Sequence, residues 1–209
     1  PTRDFNADDV LFTFNRMLDK DMPFRKAYPT EFPYFTDMGM NENITKVEKV
    51  DDHTVKFTLK GVDAAFIQNL AMSFASIQSA EYTDQLLKEG KAQDINQKPI
   101  GTGPFVFSKY QKDAQIRFKG NKDYWKPEDV KIDNLIFAIT TDPSVRIQKL
   151  KKNECQITSF PRPADIKPLQ QDKHLKMPSQ PGFNLGYIAY NFTHKPFDKL
   201  EVRQALDMA

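Results

Sequence analysis

The alternation of strand-like and helix-like segments in the second half of the sequence constrains its fold more than any other feature. The segments with the apolar pattern of strands are 135–140, 155–158, 175–177 and 185–190. Helical patterns at 144–151 and 164–170 separate the first three of them. Chains that alternate strands with helices form a sheet that those helices cover. The sequence therefore predicts the α/β class, a mixed sheet with helices.

Two hairpins are predicted elsewhere in the chain. Residues 46–50 and 54–59 alternate polar with apolar side chains around a short polar turn. Residues 105–110 and 115–119 repeat this pattern. Alternation of this kind is typical of a strand that has one face on a core and one face in water.

Helix ends are predicted from capping residues. Asn6 can cap a helix that begins at residue 7, and Asp8 and Asp9 suit the positive end of its dipole. A second helix is predicted over 80–89, where Gly90 follows the last residue as a C-terminal cap would.

Residues 19–45 form a long segment that is rich in aromatic residues and has weak periodicity. Pro23, Pro29 and Pro33 argue against a regular helix or a central strand there. Irregular segments of this length are usually functional or poorly ordered. The aromatic side chains either cover the edge of a core or form ligand walls, and the sequence leaves both interpretations open.

The composition is typical of a globular chain of one or two domains, with 209 residues, 39% hydrophobic and 28% charged. The 30 basic and 28 acidic residues are mixed along the sequence, which disfavours nucleic-acid binding. The sequence contains no run of about 18 apolar residues, which is the length that a membrane-spanning helix needs. The sequence begins without a Met or an apolar leader, and it ends in a helical pattern without a glycine cap. We therefore expect a piece of a longer protein.

Sequence motifs for catalysis and metal binding are missing. His53, His174 and His194 lie far apart and Cys155 is the sole cysteine, so no group has the spacing of a zinc site. The sequence contains no Gly-x-Ser-x-Gly motif of a serine hydrolase. We predict no catalytic residues, no metal and no cofactor.

The Gly-Thr-Gly motif at 101–103 resembles a phosphate-binding loop only superficially. It lacks the Lys-Ser or Lys-Thr that completes such a loop, and it precedes a predicted strand instead of a helix. We interpret the motif as a tight crossover between two parts of the chain, with a boundary near residues 91–101.

Several motifs together resemble one known family. They are 1–10 (Pro-Thr-Arg-Asp-Phe-Asn-Ala-Asp-Asp-Val), 99–105 (Pro-Ile-Gly-Thr-Gly-Pro-Phe), 152–155 (Lys-Asn-Glu-Cys) and 197–206 (Phe-Asp-Lys-Leu-Glu-Val-Arg-Gln-Ala-Leu). In order and spacing they resemble the bacterial extracellular solute-binding proteins of family 5, the peptide, nickel and haem receptors of ABC importers. The dipeptide-binding and haem-binding branches are the most similar. The resemblance implies a fragment of a two-lobed, type II periplasmic-binding-protein fold.

The resemblance also assigns the parts of the chain. Residues 1–98 correspond to the C-terminal part of the small subdomain of lobe 1, and residues 99–209 to the α/β core of lobe 1, truncated before the second lobe. In close relatives the cysteine that matches Cys155 pairs with one near the mature N-terminus, so Cys155 is expected to lack its disulfide partner here. The charged residues that hold the ends of a peptide are expected in the opposite lobe.

Two groups of ligand-binding residues follow from the resemblance. Phe183, Asn184 and Tyr187 lie on a segment whose counterpart approaches the floor of the cleft between the lobes, and Asn184 and Tyr187 carry hydrogen-bonding groups. A purely structural strand is an equal alternative, because Ile188 and Tyr190 look like core residues.

The second group comprises Tyr28, Tyr34 and Phe35, on a subdomain rim that can reach the ligand. The family implies capture of dipeptides or short peptides in the cleft and their delivery to the membrane permease of an ABC importer. A haem-binding receptor is the alternative within the family, and a peptide-handling hydrolase is disfavoured because no catalytic constellation is present. We expect a periplasmic monomer that is exported by a signal peptide absent from this chain.

Overall fold

The computed structural model describes residues 2–182 and 185–209, and the chain divides into two compact units, Pro1–Gln156 and Ile157–Ala209. The strands of the first unit are β1 (Ile44–Asp51), β2 (Thr54–Leu59), β3 (Phe105–Gln111), β4 (Gln115–Gly120) and β5 (Asn134–Ala138). Its α-helices are α1 (Ala7–Leu18), α2 (Pro23–Ala27), α3 (Pro33–Asp37), α4 (Met40–Asn43), α5 (Phe66–Asn69), α6 (Ala80–Lys88), α7 (Asp94–Gln97) and α8 (Pro143–Lys151). The second unit contains α9 (Pro163–Gln171) and α10 (Leu200–Asp207). Short 3-10 turns occur at Ser73–Ala75 and Pro127–Asp129.

The predicted caps of α1 and α6 are confirmed. The Asn6 side chain accepts a hydrogen bond from the Asp8 N–H, and the Asp9 carboxylate accepts one from the Asn6 N–H, each at 3.0 Å. These bonds satisfy N–H groups that have no partner within the helix. Ser79 caps the start of α6, and Gly90 follows its end with a φ of +68°. Glycine reaches this left-handed conformation without a steric penalty.

Two of the three prolines in residues 19–45 begin short helices. Pro23 is the first residue of α2, and Pro33 is the first residue of α3. Proline suits this position because its missing N–H would have no helical partner there. The prediction of a segment without regular helix is therefore wrong for α2, α3 and α4.

Both predicted hairpins are confirmed, and their ladders are antiparallel. β1 pairs with β2, and Val47 lies opposite Phe57. In the second sheet β4 is the middle strand, between β3 and β5. The rings of Phe107, Phe118 and Phe137 make edge-to-face contacts across its three strands, with centroid separations of 5.8 and 5.9 Å. Such aromatic pairs across strands stabilise a sheet and fix its register.

The predicted strands at 155–158, 175–177 and 185–190 do not form among the described residues. A strand exists only where its backbone N–H and C=O groups pair with a neighbouring strand. Some of the apolar side chains in these segments face solvent, and Ile157 and Leu185 are 87% and 83% exposed. The prediction is wrong for this chain because apolar character favours burial but does not supply a neighbouring strand.

The buried core of the first unit is concentrated before residue 98. The larger hydrophobic cluster forms where α1 packs on the β1–β2 hairpin. Its buried members are Phe14, Met17, Phe35, Met40, Ile44, Val47, Phe66 and Ala75. The smaller cluster consists of Phe24, Leu86, Ala92 and Ile95. Full burial of one large side chain of this kind stabilises a fold by about 1.5–3 kcal/mol.

Candidate functional site

A buried carboxylate joins the beginnings of α1 and α6. Asp9 accepts hydrogen bonds from two nitrogens of the Arg3 guanidinium at 2.9 and 3.0 Å, and from the Ala80 N–H at 2.8 Å. Burial raises the pKa of Asp9, but the hydrogen bonds from Arg3 and from the Asn6 and Ala80 N–H groups outweigh burial and hold the pKa below its ordinary value. The ion pair therefore keeps Arg3 beside the start of α6.

A cavity of about 700 Å³ lies beside this ion pair. Its walls are Arg3–Phe5, Asp9, residues 76–79 and residues 100–103. The Asn121 side chain donates a hydrogen bond to the Gly103 carbonyl at 2.8 Å, and β3 begins two residues later. The Gly-Thr-Gly motif thus leads into a strand, as predicted. No sequence motif marks residues 76–79 as a wall, and the only local signal there is the helix cap Ser79.

The three predicted ligand-binding residues of the aromatic segment have different environments. Tyr34 is 61% exposed. Tyr28 packs against the smaller cluster, and its hydroxyl accepts a hydrogen bond from the Asn96 side chain at 3.1 Å. Phe35 is completely buried and makes an edge-to-face contact with Phe74 at 5.7 Å. Phe35 is therefore a core residue, because its ring has no exposed surface for a ligand.

The other predicted group is described in part. Phe183 and Asn184 lie outside the described residues. The Tyr187 side chain is 80% exposed and available for contact. Ile188 is also exposed, and Tyr190 is half-buried.

The remaining reactive side chains do not converge in the part of the chain that the structure describes. There, no group of three or more His, Cys, Asp or Glu side chains has the arrangement of a metal site. Cys155 is half-buried and forms no disulfide. Among the same residues no helix is long and apolar enough to cross a bilayer. The exposed side chains of Tyr34 and Tyr187 offer a ligand aromatic contact and hydrogen bonds.

Comparison with known proteins identifies the family. A model of the bacterial extracellular solute-binding proteins, family 5 Middle, matches residues 2–209. The chain belongs to this family. The prediction of family 5 from the spacing of its motifs is thereby confirmed.

Curated proteins and a solved structure match nearly all of this chain. Di/tripeptide-binding protein 1 of Pseudomonas aeruginosa (strain UCBPP-PA14) is 80% identical over 209 residues, which are 100% of this chain and 39% of that protein. Heme-binding protein A of Haemophilus influenzae is 43% identical over 209 residues, which are 100% of this chain and 38% of that protein. The crystal structure of a dipeptide binding protein from Pseudoalteromonas sp. SM9913 in complex with Met-Leu has a TM-score of 0.92 and 39% sequence identity, covering 99% of this chain and 40% of that chain.

The chain therefore spans 39% of the first of these curated relatives and 40% of the solved structure. The α/β class and the correspondence to part of a type II periplasmic-binding-protein fold are confirmed by this superposition. The family description and the names of these relatives are those of solute-binding proteins.

Proposed function

We propose that this chain is part of the substrate-binding receptor of an ABC importer, which captures dipeptides or short peptides in a cleft between two lobes. The main support is the 80% identity, over all 209 residues, to a di/tripeptide-binding protein. In this proposal the lobes close on the peptide, so part of the binding free energy shifts the population from open to closed. The closed receptor then delivers the peptide to the membrane permease.

A peptide receptor of this kind holds its ligand mainly through backbone hydrogen bonds, as in an added strand. Such contacts accept varied side chains because they involve only groups that every residue has. In the segment 183–187, the described side chain of Tyr187 is 80% exposed. This exposure supports a ligand-facing role for the segment that contains Phe183, Asn184 and Tyr187.

Among the predicted rim residues, Tyr34 and Tyr28 keep the ligand-facing role in this proposal. Tyr34 has the larger exposed surface, and the Tyr28 hydroxyl can exchange its hydrogen bond from Asn96 for one to a ligand. Phe35 supports this rim from the core beneath it.

We assign residues 1–98 to the end of the small subdomain of lobe 1, and residues 99–209 to the α/β core of that lobe. The assignment is supported by the position of both hydrophobic clusters before residue 98. It is also supported by the two separate sheets, one on each side of the Gly-Thr-Gly motif. Cys155 in this scheme is one half of a disulfide whose other half lies near the mature N-terminus.

The compartment and partners follow from the same family assignment. We propose a periplasmic monomer, exported by a signal peptide, whose partner is the permease of an ABC importer. The nearly balanced charge of 30 basic and 28 acidic residues is consistent with a receptor that does not bind nucleic acid. The proposed receptor has no enzyme activity.

A haem-binding receptor is the second candidate, and the 43% identity to a heme-binding protein favours it. The exposed aromatic side chains Tyr34 and Tyr187 suit a flat macrocycle as well as a peptide. The two candidates differ in ligand and not in architecture, so one binding panel separates them.

The test is calorimetry on a chimera in which these 209 residues replace the matching segment of the P. aeruginosa relative. We expect the chimera to bind Met-Leu and other dipeptides, and the isolated chain to bind them weakly or not at all. Tyr187→Ala in the chimera should weaken dipeptide binding about tenfold, the loss of one good contact. Tyr110→Ala, an exposed tyrosine on β3, is the matched control and should leave affinity unchanged.

Three results would contradict the proposal. Micromolar binding by the isolated chain would show that the site is placed wrongly. Binding of haem without binding of any peptide would favour the second candidate. Cleavage products after incubation with dipeptides would show an enzyme.

A further inference from the structure

Two arginines share one aromatic ring near the C-terminal end of α1. The Cζ atom of Arg16 lies 5.1 Å from the centroid of the Phe32 ring, and the Cζ atom of Arg25 lies 4.8 Å from it. Arg25 is only 7% exposed, and one terminal nitrogen donates a hydrogen bond to the Arg16 carbonyl at 3.0 Å. The first helix, α2 and the residue before α3 thus bring two positive charges together inside the fold.

Little negative charge compensates this pair. The carboxylate nearest to Arg25 is that of Glu31, at 3.9 Å, on a side chain that is 88% exposed. A contact of this length and exposure is weak, because water screens it. In folded proteins a buried charge is normally paired with an opposite charge, and a buried donor normally has a hydrogen-bond acceptor.

Arg16 has fewer polar partners than Arg25. Its Nε–H group is buried and has no hydrogen-bond partner among the described residues. Burial lowers the pKa of Arg16, and the nearby charge of Arg25 lowers it further. An anion bound between the two guanidinium groups would offset the repulsion between their charges.

We infer that Arg16 and Arg25 form a binding site for an oxyanion. A guanidinium group presents a planar set of N–H donors that matches the oxygens of carboxylate, sulfate and phosphate. The Phe32 ring orients both groups through cation–π contacts. The oxyanion is either a free ion or the carboxylate of another polypeptide segment, since the two share this chemistry.

Thermal unfolding of the chain in sodium sulfate and in sodium chloride of equal ionic strength tests the site. We expect a rise in Tm that saturates with sulfate concentration, because a ligand that binds only the native state stabilises it. Arg16→Met should abolish the saturable rise. Its Tm in chloride should be no lower than that of the unchanged chain, because the variant removes a half-buried charge that lies beside another positive charge.

Arg117→Met is the matched control. Arg117 is an exposed arginine on β4 whose Nε donates to Gln115, so this variant loses the same charge outside the site. It should keep the sulfate response. An equal rise in the Arg16→Met variant would overturn the inference, because sulfate also stabilises proteins by exclusion from their surface. The absence of a saturable rise in the unchanged chain would overturn it as well.

Chemical modification provides a second measurement that requires no unfolding transition. Phenylglyoxal reacts with arginine side chains, and peptide mass mapping locates the modified residues. Sulfate should slow the modification of Arg16 several-fold more than that of Arg117. Equal slowing at both residues would contradict the site.

The chimera described above distinguishes the two sources of the oxyanion. If a carboxylate of a neighbouring segment occupies the site, Arg16→Met lowers the Tm of the chimera, although it does not lower that of the isolated chain. If the oxyanion is a free ion, the variant leaves the chimera's Tm unchanged in chloride and removes its response to sulfate. A chimera whose Tm is unchanged and whose sulfate response persists contradicts both forms of the inference.

Discussion

The two compact units differ in what surrounds their apolar side chains. In the first unit, α1 and the β1–β2 hairpin enclose Phe14, Phe35 and Met40, each of which is at most 2% exposed. In the described part of the second unit, Leu169 is the buried hydrophobic residue, whereas Leu185 is exposed. Both units contain strongly apolar segments. The difference shows that burial depends on a partner element as much as on the apolar residue.

The same contrast holds for ion pairs. Arg3 and Asp9 in the first unit, and Arg162 and Asp165 in the second, both form close pairs, at 2.9 and 2.8 Å. The Asp9 side chain is 4% exposed, whereas that of Asp165 is 21% exposed. Water therefore screens the second pair more strongly than the first.

The largest expected effect is that of Phe14→Ala in the core of the first unit. The variant removes a buried ring and leaves a cavity, so the free energy of unfolding should fall by about 3–5 kcal/mol. Urea unfolding followed by circular dichroism measures this loss. Leu185→Ala is the control in the second unit and should change stability by at most about 0.5 kcal/mol. Similar losses in both variants would contradict the contrast between the units.

Asp9→Asn should have the next largest effect. The variant takes the charge partner from Arg3 and weakens the hydrogen bonds that join the beginnings of α1 and α6. Because Arg3 is one-third exposed, we expect a loss of about 2 kcal/mol, less than for a fully buried pair. In the same urea assay Asp165→Asn should cost at most about 1 kcal/mol. An Asp165→Asn loss that equals or exceeds that of Asp9→Asn would show that exposure does not decide the value of these pairs.

The pH dependence of stability should follow the same carboxylate. The folded pKa of Asp9 is lowered, so its contribution is fully present above the unfolded pKa of about 3.9 and is lost as pH falls towards the folded value. The unchanged chain should therefore lose more Tm below about pH 4 than the Asp9→Asn variant does. Parallel Tm profiles in acid would show that Asp9 does not contribute.

The smallest expected effect is that of Gly90→Ala at the end of α6. Gly90 has a φ of +68°, and an alanine in this left-handed region costs about 1 kcal/mol. Gly186 in the second unit has no such φ, and nothing lies within 4 Å of an added Cβ atom. Gly186→Ala should leave the urea midpoint unchanged or raise it slightly. A larger loss at Gly186 than at Gly90 would contradict this assignment.

Features with a local cause were predictable from the sequence. The cap at Asn6, the glycine after α6 and the β1–β2 hairpin depend on residues within a few positions of each other. The helices that begin at Pro23 and Pro33 were missed, although their cause is also local. Proline disfavours a helix interior but favours its first position, and weak periodicity does not reveal where a five-residue helix begins.

The candidate site was less predictable than the fold. Tyr34 and Phe35 are neighbours with similar propensities, yet one side chain faces solvent and the other is in the core. Their directions depend on the rotation of the short helix α3, which only its packing determines. Likewise, residues 76–79 and Arg3 line one cavity although they lie far apart in the sequence.

The sequence by itself determined the family, the α/β class, the caps and the hairpins. The family follows from the order of the motifs, and the caps and hairpins follow from hydrogen bonds between residues a few positions apart. Only the tertiary structure decided which apolar segments are buried and which charges are paired. Residues 155–158 and 185–190 have the composition of strands but form none among the described residues. Arg16 and Arg25 look like ordinary surface residues in the sequence but meet over one ring. The physical reason is that burial and pairing are properties of two elements in contact, and the sequence of one element does not specify the other.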